Sequence, residues 1–312
     1  MARTSLPSRE YWREREIEHA KIMLKDDMKV VDRMKDLYED TAREIEKEIN
    51  TMLSNHATRN ELSFDDVRQL VNDADIRAFE RKAARYVREK NFSDRANREM
   101  AIYNLKMRVS RLEMILRHID LELIAMTDGL EKLTYDRLIQ FGMEELERQA
   151  GILGADFEFD RTGVDYIARQ QFHGEDFSDR LWRHKNELHT ELEKRLVESI
   201  TRGQSPIEAA RKLRQKIESS VFNSERLLIT ETARVQSEVQ MESFKQMDIH
   251  EYEFIATEAA CDVCKPLDGE VFSVNAAMPG TNMPPMHPFC RCSTAAHLDR
   301  EAFERELERR GL

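Results

Sequence analysis

Residues 261–292 read CDVCKPLDGEVFSVNAAMPGTNMPPMHPFCRC, contain all four cysteines of the chain and determine how its C-terminal part folds. Two residues separate Cys261 from Cys264, and 22 residues separate Cys264 from His287. Cys290 and Cys292 follow His287 closely. A Cys-x2-Cys turn can bring two thiolates to one ion. Thiols confined to one short segment are typical of a metal site in a reducing compartment, rather than of a disulfide framework.

This segment offers five candidate ligands for one tetrahedral zinc ion, namely Cys261, Cys264, His287, Cys290 and Cys292. The preferred set is Cys261, Cys264, His287 and Cys290, and the alternative set replaces His287 with Cys292. Either sulfur-rich set fills all four positions and leaves none for water, so we expect structural zinc rather than catalytic zinc. Two disulfides or free thiols are the competing interpretations.

A nucleoside deaminase would also use a Cys-x2-Cys pair, but it needs His-x-Glu upstream and a proline before the first cysteine. Here His250 directly precedes Glu251, and Ala260 precedes Cys261. The sequence therefore argues against that enzyme.

The composition indicates a mostly helical protein. Among 312 residues, 35% are charged, and there are only 10 Gly and 7 Pro. The net charge of −11 argues against a protein that coats nucleic acid through its overall field, although local contact with DNA stays open. The N-terminal residues are polar, so we expect no signal peptide, and no apolar run is long enough to predict a membrane span.

Apolar residues at alternating spacings of four and three predict two long helices in the first half of the chain. The first stripe is interrupted by one lysine and consists of Leu24, Met28, Val31, Lys35, Tyr38, Ala42, Ile45, Ile49 and Met52. The second stripe consists of Leu105, Val109, Leu112, Leu116, Ile119, Leu123, Met126, Leu130 and Leu133. We expect the two helices to pack against each other as an antiparallel hairpin, with packing against partner chains as the alternative.

The second half predicts shorter elements. One helix follows Phe177 and ends near Gly203, the next begins at Ser205-Pro206, and a third carries Thr230-Glu231-Thr232. We expect this polar triplet to be a buried hydrogen-bonding turn rather than a catalytic group. Residues 251–256 and 270–274 predict strands, the second after an Asp268-Gly269 turn.

These patterns predict a mainly α protein. A long-helix N-terminal half with a coiled-coil-like hairpin is followed by a small α+β domain that zinc stabilises. Glycines clustered in residues 150–164 mark the expected boundary. The predicted divisions are 1–150 as a helical arm, 151–298 as a domain with the zinc site, and 299–312 as a charged helical tail.

The cysteine-rich segment resembles the motif of a known family. The run from Cys261 through Leu267-Asp268-Gly269 to Pro284–Cys292 is similar to the motif of phage Mu F-type minor head proteins, also called phage head morphogenesis proteins. Its most specific part is His-Pro-x-Cys-Arg-Cys, at 287–292. The resemblance covers roughly residues 160–295 and includes the Thr230-Glu231 segment. The family usually has Asn where this chain has Phe289.

The resemblance implies a non-enzymatic minor capsid protein of a tailed phage. Such a protein binds the portal inside the procapsid, assists head assembly and travels with the DNA in some cases. We expect residues 1–150 to bind the portal, with scaffolding protein, major capsid protein and local DNA contact as further candidates. The expected locations are the capsid interior near the portal vertex and, during assembly, the host cytoplasm.

Two other functions compete with this one. The first is a zinc-dependent enzyme that acts on DNA or on a host protein, which would need an open metal position. The second is a cytosolic coiled-coil zinc adaptor, which would form a stable dimer in isolation.

Overall fold

The computed structural model describes residues 9–54, 111–154, 157, 160–201, 206–257 and 259–297. Within these ranges the protein is mainly helical, with one small sheet, as the sequence predicted. The helices are α1 (Arg9–Ser54), α2 (Arg111–Leu153), α3 (Arg161–Ala168), α4 (Phe177–Thr201), α5 (Pro206–Ser219) and α6 (Val221–Gln246). No helix in this part of the chain is both long enough and apolar enough to cross a membrane.

The three strands are β1 (Glu251–Ile255), β2 (Val271–Ser273) and β3 (Ser293–His297). They form an antiparallel sheet in the order β2-β1-β3, with Glu251 opposite both Ser273 and His297. Strands β1 and β2 were predicted, whereas β3 was not. Because β1 is the central strand, it holds the segments before and after the cysteine-rich loops in one register.

The first apolar stripe is only partly where the sequence placed it. Val31, Tyr38, Ala42, Ile45 and Ile49 are buried as predicted. Toward the N-terminus, the buried stripe lies one position earlier than predicted and consists of Met23, Asp27 and Met34, in place of Leu24, Met28 and Lys35. The displacement leaves Lys35 partly exposed beside the stripe. The side chain of Met52 is outside the described residues.

The second stripe is confirmed at Ile119, Leu123, Met126 and Leu130, which are buried. Leu116 and Leu133 are only partly buried. The side chains of the earlier stripe members lie outside the described residues; these members are Leu105, Val109 and Leu112.

The predicted helical hairpin is present where residues 9–37 meet residues 127–153. Arg148 binds Glu16, and Arg137 donates to Asp27 at 2.8 Å, so the two helices are antiparallel. A Cβ placed on Gly129 would lie 3.0 Å from Leu37 Cδ1, so the helices are also close at this third point. The seam is therefore used for packing within the chain, as expected.

Contacts divide the chain into two compact units that alternate along the sequence. One consists of residues 1–37, 127–184 and 220–312, and the other of residues 38–126 and 185–219. The division into 1–150, 151–298 and 299–312 that the sequence suggested stays a prediction. The tail 299–312 and the cap residue Ser205 lie outside the described residues.

A buried polar network connects four elements of the first unit. The Arg148 guanidinium on α2 donates to both oxygens of Glu16 on α1, at 2.6 and 3.0 Å. It also donates to both oxygens of Glu145, at 2.8 and 2.7 Å. Gln240 on α6 donates to Glu145 at 2.9 Å, and Ser293 on β3 donates to Glu16 at 2.7 Å. One arginine thus pairs with two carboxylates at the meeting point of three helices and the sheet.

The two carboxylates of this network are not equivalent. Burial raises the pKa of Glu16, and the adjacent charge of Glu145 adds to that effect, despite the attraction of Arg148. Burial also disfavours the charged form of Glu145, but Arg148 and the amide of Gln149 outweigh it, so the pKa of Glu145 is lowered. Glu145 is therefore the stronger ionic partner of Arg148.

This asymmetry predicts different costs for the same substitution at the two sites. An acid with a raised folded pKa stabilises the fold below its unfolded pKa, and loses that contribution as the pH rises. An acid with a lowered pKa does the reverse, so its contribution is present at pH 7. We expect Glu145→Gln to cost about 3–5 kcal/mol of unfolding free energy at pH 7. Glu16→Gln should cost less than about 1 kcal/mol.

Urea unfolding of the two variants at pH 7, followed by circular dichroism, measures the difference. Each substitution removes one charge and keeps the side-chain shape, so each variant is the control for the other. Equal losses of unfolding free energy would contradict the unequal sharing of Arg148.

Candidate metal centre

The first two candidate ligands lie on a tight turn after β1. The backbone N–H groups of Cys264 and Lys265 both donate to the carbonyl of Cys261, at 3.1 and 3.0 Å. A single 3₁₀ turn, Lys265–Leu267, follows directly. Gly269 then adopts φ +81°, and its N–H donates to the carbonyl of Phe254 on β1 at 2.8 Å. The turn places both thiols on one side and returns the chain to the sheet as β2.

The remaining candidate ligands lie on the loop that leads into β3. The N–H of Cys290 donates to the carbonyl of His287 at 3.0 Å, so this loop repeats the turn of the first pair. Cys290 and Cys292 are buried, and Ser293 begins β3 immediately afterwards. Because β1 pairs with both neighbours, the sheet brings the two turns together.

The structure brings together all five residues that the sequence proposed. The Sγ atoms of Cys261 and Cys264 lie 3.1 and 3.3 Å from His287 Nε2. The Sγ atoms of Cys264 and Cys290 lie 3.9 Å apart. Two thiolates at about 2.3 Å from one tetrahedral ion would be about 3.8 Å apart. The spacing of Cys264 and Cys290 therefore fits a tetrahedral metal ion, and sulfur and imidazole donors are those that zinc accepts.

Cys264 is common to two groups of possible ligands. One group is Cys261, Cys264 and His287, and the other is Cys264, Cys290 and Cys292; within each, the ligand atoms lie within 4.8 Å of one another. Among the residues described, these are the clusters that could hold a metal ion. The choice between His287 and Cys292 as the fourth ligand stays a prediction, as does the identity of the metal.

The thiols alternate between acidic and weakly acidic. A hydrogen bond from Cys292, together with backbone N–H groups and the charge of His287, lowers the pKa of Cys290 to about 5. Donation to Cys290, and then burial, raise the pKa of Cys292. Burial raises the pKa of Cys264 to about 12. Backbone N–H groups lower the pKa of the exposed Cys261. The site thus already favours thiolates at Cys261 and Cys290, which belong to both ligand sets.

The ring of His287 is fixed through its other nitrogen. Burial opposes its charged form, but the Pro288 carbonyl, 2.8 Å from Nδ1, and the two neighbouring thiolates raise the pKa of His287. A carbonyl partner at Nδ1 leaves Nε2 directed at the thiols, which is the arrangement that orients an imidazole ligand toward a metal.

A cavity of about 230 Å³ lies beside the cluster. Its walls include Lys21 and Leu24 of α1, together with Cys261, His287 and Arg291. The cluster is therefore not sealed on all sides, and a small molecule could approach the exposed Cys261.

Phe289, between two candidate ligands, has a left-handed backbone with φ +61°. Its N–H donates to the hydroxyl of Thr230 at 3.1 Å, and its ring lies 5.4 Å from that of Phe222. Asn tolerates this conformation better than other non-glycine residues do. The left-handed backbone is therefore compatible with the Asn that the resemblance leads us to expect at this position.

The Thr230-Glu231-Thr232 triplet is a buried hydrogen-bonding element, as predicted. The hydroxyls of Thr230 and Thr232 donate to the carbonyls one turn earlier, at 2.6 and 2.8 Å. Glu231 accepts from Arg234 at 2.7 Å and from Arg180 at 3.2 Å. The sequence gave no indication that Arg234 is buried and donates to the carbonyls that end α3, at 2.9 and 3.1 Å.

Comparison with known proteins supports the resemblance found in the sequence. Residues 190–295 match a family model described as "Phage Mu protein F like protein". No curated protein and no solved structure matches the chain. The matched segment contains α5, α6, β1, β2, the first three residues of β3 and all five candidate ligands, whereas Glu16 and Arg148 lie outside it.

Metal content should separate the two ligand sets. If Cys261, Cys264, His287 and Cys290 are the ligands, Cys292→Ser should keep one bound metal ion per chain, and His287→Ala should lose most of it. The alternative set predicts the reverse. Inductively coupled plasma mass spectrometry of folded protein measures the content, and X-ray absorption distinguishes three sulfurs plus one nitrogen from four sulfurs. Cys264→Ser is the positive control, because both sets contain Cys264. A folded wild-type protein without metal would contradict both sets.

The left-handed backbone at Phe289 predicts that a glycine variant is more stable than an alanine variant, the reverse of the usual order. Both Phe289→Gly and Phe289→Ala remove the ring, but alanine must carry its Cβ at a positive φ. We expect the glycine variant to be more stable by about 1 kcal/mol, and Phe289→Asn to lie between them. Thermal unfolding of the metal-loaded variants measures this order. An alanine variant at least as stable as the glycine variant would contradict it, since alanine is otherwise the better-tolerated residue.

Proposed function

We propose that the protein is a minor head protein of a tailed phage that binds the portal inside the procapsid, because residues 190–295 match the phage Mu F-like family model. The match associates the chain with phage head morphogenesis and with other virion components. It is the one observation that carries the proposal. Assistance in head assembly and in DNA delivery, and a position near the portal vertex, are parts of the same proposal.

We propose further that the protein is not an enzyme and that its metal ion is structural. The support is the donor set, since four of the five clustered side chains suffice to close a tetrahedral site. When bound, the ion would tie the turn after β1 to the loop before β3. The residues around it would then hold the sheet edge rather than activate a water molecule.

The long helices are the best candidates for the portal-binding surface. In the described part of residues 1–150, α2 exposes two large apolar side chains one turn apart, Leu121 (64% exposed) and Ile124 (37% exposed). Apolar helix positions that face solvent are typical of surfaces that bind a partner. They support binding through residues 1–150.

One observation favours a second candidate, a zinc-dependent enzyme. The cavity of about 230 Å³ reaches the exposed Cys261 and His287, so a substrate could approach the metal. An enzyme would show three protein ligands and a water molecule on the ion. The X-ray absorption measurement described above therefore also decides between this candidate and a structural site.

Portal binding should depend on the exposed apolar pair of α2. We expect the double variant Leu121→Asp/Ile124→Asp to lose at least about tenfold in affinity for purified portal protein, because charged groups at a buried contact remain unpaired. Co-purification and surface plasmon resonance measure the loss. Surface substitutions are preferable to deletion of residues 1–150, because a deletion would also remove Glu16 and Arg148.

Tyr166→Asp is the matched control. Tyr166 is 69% exposed on α3, outside residues 1–150, and should not affect binding. A double α2 variant that folds and binds the portal as tightly as wild type would contradict this binding surface. Absence of any complex between wild-type protein and portal would contradict the proposed function itself.

A further inference from the structure

His287 also lines a second, larger cleft. Its volume is about 490 Å³, and it is separate in position from the cavity beside Cys261. Side chains from α4, α6, the turn before α4 and the metal-ligand loop converge on it. The basic and imidazole residues that line it are Arg180, Arg183, Arg226, His173, His184 and His287.

The charges around this cleft do not cancel. Arg180 pairs with Glu231 at 3.2 Å, and Glu231 is also the partner of the buried Arg234. Arg183 pairs with Glu175 at 3.0 Å. Among the residues that line the cleft, Glu175 is the one carboxylate, against three guanidinium groups.

Arg226 is the third arginine that lines the cleft. It is only partly exposed, and it has no hydrogen-bond or ion-pair partner among the residues that the structure describes. With the histidines neutral, the residues that line the cleft carry a formal charge of about +2, in a chain whose net charge is −11. A guanidinium held at a concave site with free donors is a ready partner for an anion.

The wall opposite α6 is locally fixed. His173 and Gly174 both have positive φ, +55° and +83°, and a backbone hydrogen bond of 3.0 Å joins Phe172 to Glu175 across them. Two consecutive residues with positive φ form a type I′ turn. The Arg180 guanidinium donates to the carbonyl of Phe172 and lies 5.5 Å from its ring, so the turn is attached to α4. The cleft is therefore preformed rather than dependent on free loops.

We propose that this cleft binds a phosphate group, with Arg226 as its principal donor. Arginine presents two N–H groups in a plane that matches two phosphate oxygens, and the cleft adds Asn223 as a neutral donor. The volume exceeds that of one phosphate, so it accommodates a phosphorylated ligand or one phosphate of a nucleic-acid strand. The overall negative charge of the chain repels polyanions elsewhere, which would confine such contact to this cleft. The inference goes beyond the proposed portal role and does not depend on it.

Titration of the full-length, metal-loaded protein with phosphate tests the proposal. Inorganic phosphate is measured by isothermal titration calorimetry at low ionic strength, and a fluorescent ten-nucleotide single strand by anisotropy. Loss of a charge-assisted pair predicts that Arg226→Ala weakens both by about tenfold or more. The salt dependence of oligonucleotide binding should fall by about one unit in slope.

Arg195→Ala is the matched control. Arg195 is an exposed arginine on α4 that pairs with Glu191 and does not line the cleft, so the variant makes the same change in net charge. Its affinities should stay within about twofold of wild type. Equal weakening by the two variants would show that binding follows overall charge and would overturn the proposal.

The remaining outcomes are also decisive. Binding of the oligonucleotide that is tighter than that of phosphate, and lost in Arg226→Ala, supports the cleft and identifies nucleic acid as the source of the phosphate. Similar affinities for the two, both lost in Arg226→Ala, support it with a small phosphorylated ligand as the source. No binding of either ligand to wild type, or equal binding of a glutamate-rich peptide, would overturn it.

Discussion

The fold of the first unit depends on Arg148. Its guanidinium satisfies Glu16 on α1 and Glu145 on α2 at the same time, with distances of 2.6–3.0 Å. Without it, two carboxylates with almost no solvent access would face each other, and burial of unpaired charge is among the largest destabilising effects known in proteins. Gln240 and Ser293 complete the network, so the position of α6 and of the sheet follows from the same pairing.

The candidate metal-binding cluster and this network are neighbours along the chain. Cys292 is followed directly by Ser293, whose hydroxyl binds Glu16, and then by Thr294, which donates to Gln240 at 2.6 Å. One end of this short segment thus lies in the cysteine cluster, and the other end contacts the helices. The cluster holds the loop that leads into β3, and the helices hold β3 itself. Each set of contacts therefore limits the movement of the other.

The sequence predicted the features that repeat or cluster locally. Thiol spacing identified all five residues that meet near Cys264, and helical periodicity identified α1, α2 and their antiparallel pairing. It misplaced the N-terminal part of the first stripe, because a buried aspartate, Asp27, occupies a seam position and is compensated by Arg137 110 residues away. It missed β3, because Ser293–His297 contains no large apolar residue, and its side chains bind polar partners on α6. Pairings between distant charges, such as that of Arg148 with Glu16, leave no periodic pattern in a single sequence.

The separation in sequence between bonded residues bears on how the protein reaches its native state. The hydrogen bond from Ser293 to Glu16 spans 277 residues. Contacts of this range are slow to form, since a long loop must close before they contribute. During synthesis, α1 and α2 can pair early, but the buried carboxylate of Glu16 obtains its last partner, Ser293, only after residues 290–294 have emerged. The helical hairpin would therefore stay incompletely packed until the segment that also carries the candidate metal ligands is synthesised. Capture of the ion and closure of the core would then coincide as the last step of folding.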